Sequence, residues 1–279
     1  MKKRIRIIMR DLLLAVGGFV ILLFIFQHKL IWFPRHYGPD YKLTLPKSAV
    51  ELHYATSEGK QCSFYIPPSG VPTPGRVWVL FCGNGSKALD WADFVVRAPN
   101  KHDGFLLVEY PGYGLCEGSV TPAGIRESAA KALAELALHL QTTPAGLDGK
   151  LNVLAHSIGC AAALEFAVLH PVQRVILVAP FTSLRDMARC TVGWPLCWLL
   201  RHNFDNRARL AELFARPTPP RVTIFHGSED ALIPKQMGQS LAGMFPKMAT
   251  FHEVHDADHN SVVYDAEREI YSAMNDWHE

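Results

Sequence analysis

The residue with the most chemical potential in this chain is a serine. Ser157 sits in Leu151-Asn152-Val153-Leu154-Ala155-His156-Ser157-Ile158-Gly159, which leads into the small-residue segment Cys160-Ala161-Ala162-Ala163-Leu164. An apolar run, a sharp turn and then small residues read as a buried strand followed by a helix packed close against the sheet. A serine held at such a turn exposes its hydroxyl, the geometry of a nucleophile elbow. The motif is usually G-x-S-x-G. Ala155 replaces the first glycine here, and alanine is small enough for the close strand–helix approach. A hydroxyl becomes a strong nucleophile only when a base takes its proton, and the base needs a partner that fixes its tautomer. A serine in this string can also be purely structural, so the remaining parts must come from elsewhere.

Two later stretches offer them. His226-Gly227-Ser228-Glu229-Asp230 follows one apolar run, and His255-Asp256-Ala257-Asp258-His259-Asn260 follows another. Asp230 would orient and stabilise the imidazole, and His259 would act as the base. Among the competitors, His252 falls inside a strand, and Asp256 and Asp258 are too near His259 in sequence to serve it. His156 should point away from Ser157 if the elbow forms. A metal set of His252, His255, Asp256 and His259 matches no metallohydrolase spacing, and no metal or cofactor is expected.

Elements must carry these groups to one place. Residues 51–56 and 61–66 alternate and read as an antiparallel hairpin. The runs 76–81, 105–110, 151–156, 174–180 and 221–226 are continuously apolar, as in strands covered on both faces, and 249–254 is the last strand. Helical stretches separate them: one near Ala88–Val95, one from Pro122 to Gln141, one after Ser157, one over 236–245, and a closing helix from Ser261 towards Trp277. This alternation predicts an α/β domain with a mostly parallel sheet. Residues 181–220 hold no strand. The block Trp194-Pro195-Leu196-Cys197-Trp198 reads as part of a small helical insert over the carboxyl edge of the sheet, where ligands of open α/β sheets bind. Trp194, Leu196 and Trp198 are therefore candidates to contact an acyl or other greasy group, although the same residues could simply pack the insert onto the sheet.

Net charge is +2. Much of the positive excess lies in the first ten residues, and the remainder is slightly acidic. No basic face invites nucleic acid. The six cysteines form no C-x-x-C pair, which argues against structural zinc. Cys190 and Cys197 are the best-placed disulfide pair, because Gly193 and Pro195 interrupt a helix that would hold them about 10 Å apart. Buried free thiols are the simpler reading.

The N-terminus carries Lys2, Lys3, Arg4, Arg6 and Arg10, then an unbroken run of apolar residues and glycine from Leu12 to Phe26. Fifteen helical residues cover about 22 Å, less than a bilayer core of about 30 Å, which leaves a signal peptide or an anchor. No small-x-small site follows the run. Trp32 and Phe33 suit a membrane boundary, and Arg10 can snorkel so that the span starts near Ile7. The reading is an uncleaved anchor with the basic tail cytoplasmic and the domain on the far side, periplasmic, lumenal or extracellular. Residues 1–29 form the tail and anchor, 30–49 a linker, and 50–279 the α/β domain with its insert at 181–220.

Together, Ala155-His156-Ser157-Ile158-Gly159, His226-Gly227-Ser228-Glu229-Asp230-Ala231-Leu232-Ile233-Pro234, Ala257-Asp258-His259-Asn260, Tyr110-Pro111-Gly112-Tyr113-Gly114 and Cys82-Gly83-Asn84-Gly85 resemble the α/β-hydrolase superfamily across about residues 50–279. The order Ser, Asp, His is the order of that superfamily. The sequence looks closest to its membrane-anchored branch of lysophospholipases and protein depalmitoylases. The resemblance implies a catalytic triad of Ser157, Asp230 and His259, with His255 too early in its loop to be the base. It also implies an oxyanion hole from the N–H groups of Asn84 and Ile158. That branch carries histidine where this chain has Cys82. The donors are backbone groups, so the exchange leaves them in place but loosens the hold on their loop. Tyr110 and Tyr113 are expected to shape that loop.

The reading is a serine hydrolase that cleaves an acyl ester, thioester or lipid through an acyl-enzyme. A serine peptidase or an acyltransferase would use the same residues, since the fold hosts many substrates. A silent binding scaffold is the alternative from another class. The sequence does not set the oligomeric state.

Overall fold

A computed structural model describes residues 2–275. The last residues of the expected closing helix, towards Trp277, lie outside them. The described helices are α1 (Lys2–Ile31), α2 (Tyr41–Thr44), α3 (Ala92–Arg97), α4 (Pro122–His139), α5 (Gly159–Leu169), α6 (Leu184–Val192), α7 (Asn206–Phe214), α8 (Lys235–Met244), α9 (Val262–Asp265) and α10 (Glu267–Asn275). The strands are β1 (Val50–Thr56), β2 (Gly59–Ile66), β3 (Arg76–Phe81), β4 (Asp103–Val108), β5 (Leu151–His156), β6 (Val172–Val178), β7 (Arg221–Gly227) and β8 (Ala249–Val254).

These strands form one sheet in the order β1-β2-β4-β3-β5-β6-β7-β8. β1–β2 and β2–β4 pair antiparallel, and the rest pair parallel. Every residue of β3 and β4 is buried, which explains their unbroken apolar character: helices cover both faces. The chain steps from β3 to β4 on one side and then back to β5 on the other. The carboxyl ends of β3 and β5 therefore flank a topological switch point, where such sheets bind ligands.

Local signals start the helices. Thr121 caps α4 by accepting the Gly124 N–H at 2.9 Å, with Pro122 in the first turn. Ser183 caps α6 and Asp205 caps α7 in the same way. In the turn after β4, Gly112 and Gly114 take φ of 78° and 57°, a region that favours glycine. At the opposite end of the sheet, Arg76 bonds both oxygens of Asp103 at 2.8 and 2.7 Å and the Met274 carbonyl at 2.6 Å, which pins α10 to β3 and β4.

α1 is a single helix and is long and apolar enough to cross a membrane. It continues well past Phe26, the end of the unbroken apolar run, so its thirty residues extend about 45 Å. The segment after it lies on the sheet domain. Trp32 is buried and meets Phe204 edge-on at 6.4 Å, and the Gly114 N–H donates to the Arg35 carbonyl at 2.8 Å. The Tyr37 hydroxyl donates to Glu109 Oε2 at 2.7 Å, and the Ala88 N–H donates to the same oxygen at 3.1 Å. All six cysteines are free thiols, with Cys190 exposed and the other five buried. Cys190 and Cys197 are thus unpaired: Cys197 faces inward under the insert while Cys190 faces out from α6.

Burial pushes the Glu109 carboxyl up to about 8, against the lowering effect of its Tyr37 and Ala88 hydrogen bonds. A raised carboxyl pKa means that the folded state holds a proton that the unfolded state releases above about pH 4.5. Stability from this group is complete in acid and is lost as pH rises through about 8. Between about pH 6.5 and 8, chemical denaturation should show stability falling by up to about 1.4 kcal/mol per pH unit. Glu109→Gln, which retains an acceptor for Tyr37 and Ala88, should flatten that slope.

Candidate active site

The turn after β5 holds Ser157 at φ 57°, a conformation uncommon outside glycine. Its N–H donates to the Val178 carbonyl at 2.9 Å. The chain then enters α5 directly, pressed against the end of β3. A Cβ on Gly159 would lie 2.5 Å from the carbonyl oxygens of both Phe81 and Cys82, so this position needs glycine. Ala155, fully buried in β5, has room for its methyl group.

The loops after β7 and β8 are pressed together in the same way. Gly227 is paired with Val254, and a Cβ on Gly227 would overlap the Ala257 carbonyl. The Ser228 and Glu229 N–H groups donate across to Val254 and Ala257 at 2.9 and 3.0 Å. This junction brings three distant residues into line. His259 Nδ1 is 2.7 Å from Asp230 Oδ2, and His259 Nε2 is 2.9 Å from Ser157 Oγ. All three residues are buried. In the tautomer that fits both contacts, Nδ1–H donates to the carboxylate and Nε2 accepts from the hydroxyl. His252 is instead stacked on Phe225 at 5.0 Å.

Asp230 is held from four directions. Oδ1 accepts the N–H groups of Leu232 and Ile233 at 2.9 and 2.8 Å. Oδ2 faces His259 and, at 3.3 Å, Nε2 of the fully buried His226, which also donates to the Ile233 carbonyl at 2.9 Å. Burial alone would raise this carboxyl. The hydrogen bonds from His226, His259 and the Ile233 backbone outweigh it and hold the group well below the usual carboxylate range. His226 was not singled out by its sequence position. The available signal was a histidine four residues before the acid, at the end of a buried strand.

His156 turns away from the serine hydroxyl. Its Nε2–H donates to the His259 carbonyl at 2.8 Å, and the two imidazoles lie 4.9 Å apart with their planes tilted by 41°. Burial, reinforced by the neighbouring His259, lowers it to about 4, so it serves as a neutral strut behind His259.

Asn84 and Ile158 both line the cavity onto which Ser157 opens. Among the described residues, the N–H of neither is bonded to a protein acceptor. Cys82 leaves the loop firmly held, because other groups do the holding. The Tyr110 hydroxyl donates to the Cys82 carbonyl at 2.7 Å. Asn84 Oδ1 accepts from the Tyr113 hydroxyl at 2.8 Å and the Phe33 N–H at 3.0 Å, and Asn84 Nδ2 donates to the Ile31 carbonyl at 2.5 Å. The end of α1 is thus part of the site's scaffold.

The cavity measures about 530 Å³, within the range of small-molecule sites. Leu196 lines it, as expected. Trp194 and Trp198 do not: they are 72% and 62% exposed, and the Arg185 guanidinium lies over the Trp198 ring at 4.5 Å. The expectation differs from the structure because hydrophobicity alone does not say which side of a short 3₁₀ turn faces inward. Among the described residues, Glu51, His53 and Cys62 form a group with ligand-type atoms within 4.8 Å of one another. They belong to the β1–β2 hairpin at the far edge of the sheet, and strand pairing accounts for their proximity.

Residues 78–218, half of the chain, match the Alpha/beta hydrolase family. The chain belongs to that family, and it has the α/β-hydrolase fold. It is 27% identical to the uncharacterized protein Rv2307c of Mycobacterium tuberculosis over 252 residues, covering 88% of this chain and 85% of that one. Among solved structures it is similar to an alpha-beta hydrolase from Vibrio vulnificus (TM-score 0.64, 16% identity, 81% of each chain). It is also similar to an esterase of Pyrococcus furiosus (TM-score 0.62, 12% identity, 88% of this chain and 98% of that one).

The lowered His156 predicts a titration. Its imidazole signals in NMR should shift with a midpoint near 4. The unfolded chain takes up this proton at about pH 6.5, so the stability His156 contributes is complete above that value. It is lost as pH falls towards 4, at up to about 1.4 kcal/mol per unit. His156→Gln should remove that share of the acid sensitivity in denaturation experiments.

Proposed function

We propose that this chain is a membrane-anchored serine hydrolase that cleaves carboxylic esters or thioesters with an apolar acyl group. The observation that carries the reading is the continuous line Ser157–His259–Asp230, with Ser157 opening onto a largely apolar cavity. His259 takes the Ser157 proton as Oγ attacks the acyl carbon, and Asp230 stabilises the imidazolium that results. The N–H groups of Asn84 and Ile158 receive the charge that develops on the carbonyl oxygen. His259 then protonates the leaving alcohol or thiol. Water, deprotonated by the same imidazole, releases the acid from the acyl-enzyme and restores Ser157.

α1 supports the anchoring part of the reading, with its length, its apolar run and the five basic residues at its start. Those residues favour a cytoplasmic N-terminus and a catalytic domain on the opposite side. The apolar cavity supports an acyl substrate, since each methylene removed from water contributes about 0.8 kcal/mol.

A fluorophosphonate probe should label the parent and leave Ser157→Ala unlabelled, and labelling of that variant as strong as the parent's would refute the nucleophile. Ser157→Ala should lose at least about 10⁴-fold in kcat, and Asp230→Asn about 10³–10⁴-fold. The rate should fall on acidification, because an imidazole that already holds a proton cannot act as base. In a panel of esters and thioesters of graded length, kcat/KM should rise by up to about fourfold per methylene until the cavity is full.

A further inference from the structure

The wall of the cavity opposite the insert is built by the N-terminal helix itself. Leu23, Gln27, Leu30 and Ile31 line it, and their spacing puts them on one stripe of α1. Leu184, Met187, Ala188 and Thr191 form the facing stripe on α6. Ser157 lies at the floor between the two. Gln27 ties α1 to the insert beyond α6. Its Nε2 donates to the Leu199 carbonyl at 3.2 Å, and its Oε1 accepts the Arg201 N–H at 2.8 Å. These bonds occupy the side-chain polar groups of Gln27, so the wall presents hydrocarbon to the cavity.

From Ile31, whose carbonyl is bonded to Asn84, the lined stripe runs back to Leu23, about 12 Å along the helix. It passes Gln27 and enters the uninterrupted apolar run. The Arg201 guanidinium rests on the Phe24 ring at 4.1 Å. The rim of the cavity is apolar and open: Leu30, Phe33, Val192 and Leu232 are 58%, 57%, 37% and 62% exposed. Trp194 and Trp198 stand exposed on the same insert, and tryptophans favour the membrane–water boundary. An exposed apolar rim of this kind is costly in water and matches a lipid surface.

We infer that the membrane helix is one wall of the substrate site, and that the acyl chain of a bilayer-resident lipid ester enters sideways between α1 and α6, lies along the Leu23–Ile31 stripe and presents its carbonyl to Ser157. This rests on the serine hydrolase reading above and names its substrate class and route. The anchor then confines the enzyme to the membrane and also completes its pocket. Trp194 and Trp198 seat the insert in the headgroup layer.

The test uses full-length protein in phospholipid vesicles with two substrates that share one leaving group: 4-methylumbelliferyl palmitate dissolved in the bilayer and 4-methylumbelliferyl acetate in water. Leu23→Trp and Leu30→Trp fill the groove. Each should lower kcat/KM for the palmitate at least about tenfold and leave the acetate within about twofold. Ile21→Trp, on the same helix but outside the cavity, should change neither. Fluorophosphonate labelling of each variant at the parent's rate reports that the domain is folded. Palmitate hydrolysis should follow the mole fraction of ester in the membrane rather than its bulk concentration. Unchanged palmitate hydrolysis in both groove variants, or equal loss of both substrates with labelling intact, would overturn this inference alone. A parent that neither labels nor hydrolyses either ester would overturn the hydrolase reading and this one with it.

Discussion

The contact between two turns governs this molecule. The chain can leave β5 with Ser157 in a left-handed conformation only because α5 starts directly against the carbonyls of Phe81 and Cys82. That approach sets the distance from the serine to the Asn84 loop, and hence where the carbonyl of any bound acyl group would lie. The second close approach, Gly227 under Ala257, sets where His259 lies relative to Asp230. Each is a backbone-to-backbone contact with no room for a side chain. Ser157, Asp230 and His259 are therefore positioned by the sheet and not by their own flexibility.

Around that core the electrostatics are layered. Four donors keep Asp230 ionised in a buried place, where an isolated carboxylate would rather hold a proton. Glu109, also buried, has fewer donors and goes the other way. Glu109 is the more deeply buried of the two and has fewer donors to offset that burial. Asp230 can thus stand as a negative partner for His259, while Glu109 works as a largely neutral tie for the segment that follows α1. His156 adds support without adding charge.

The link between the helix and the site is structural before it is functional. Asn84 is bonded to Ile31 and Phe33, and Trp32 is buried against Phe204 of the insert. A disturbance in α1 would reach the Asn84 loop through two or three hydrogen bonds. The chain has few degrees of freedom between the end of α1 and Ser157.

Much of this was legible in the amino-acid order. Continuous apolar runs marked the buried strands, and small residues after Ser157 marked the close helix. The order Ser157, Asp230, His259 followed from which loops follow which strands. These features are local, or repeat at a fixed period, so sequence carries them. Other features depend on what a side chain meets across the fold. The Leu12–Phe26 run of α1 is apolar on every face, so no periodicity singles out the Leu23–Ile31 stripe that lines the cavity. Trp194 and Trp198 look like core residues by type, and only the packing of the insert turns them outward. His226 gains its place beside Asp230 from the turn that Leu232 and Ile233 close. Sequence alone determined which chemical groups are present and in what order they come. Packing in three dimensions decided which face each group presents, because burial is a property of neighbours and not of a residue.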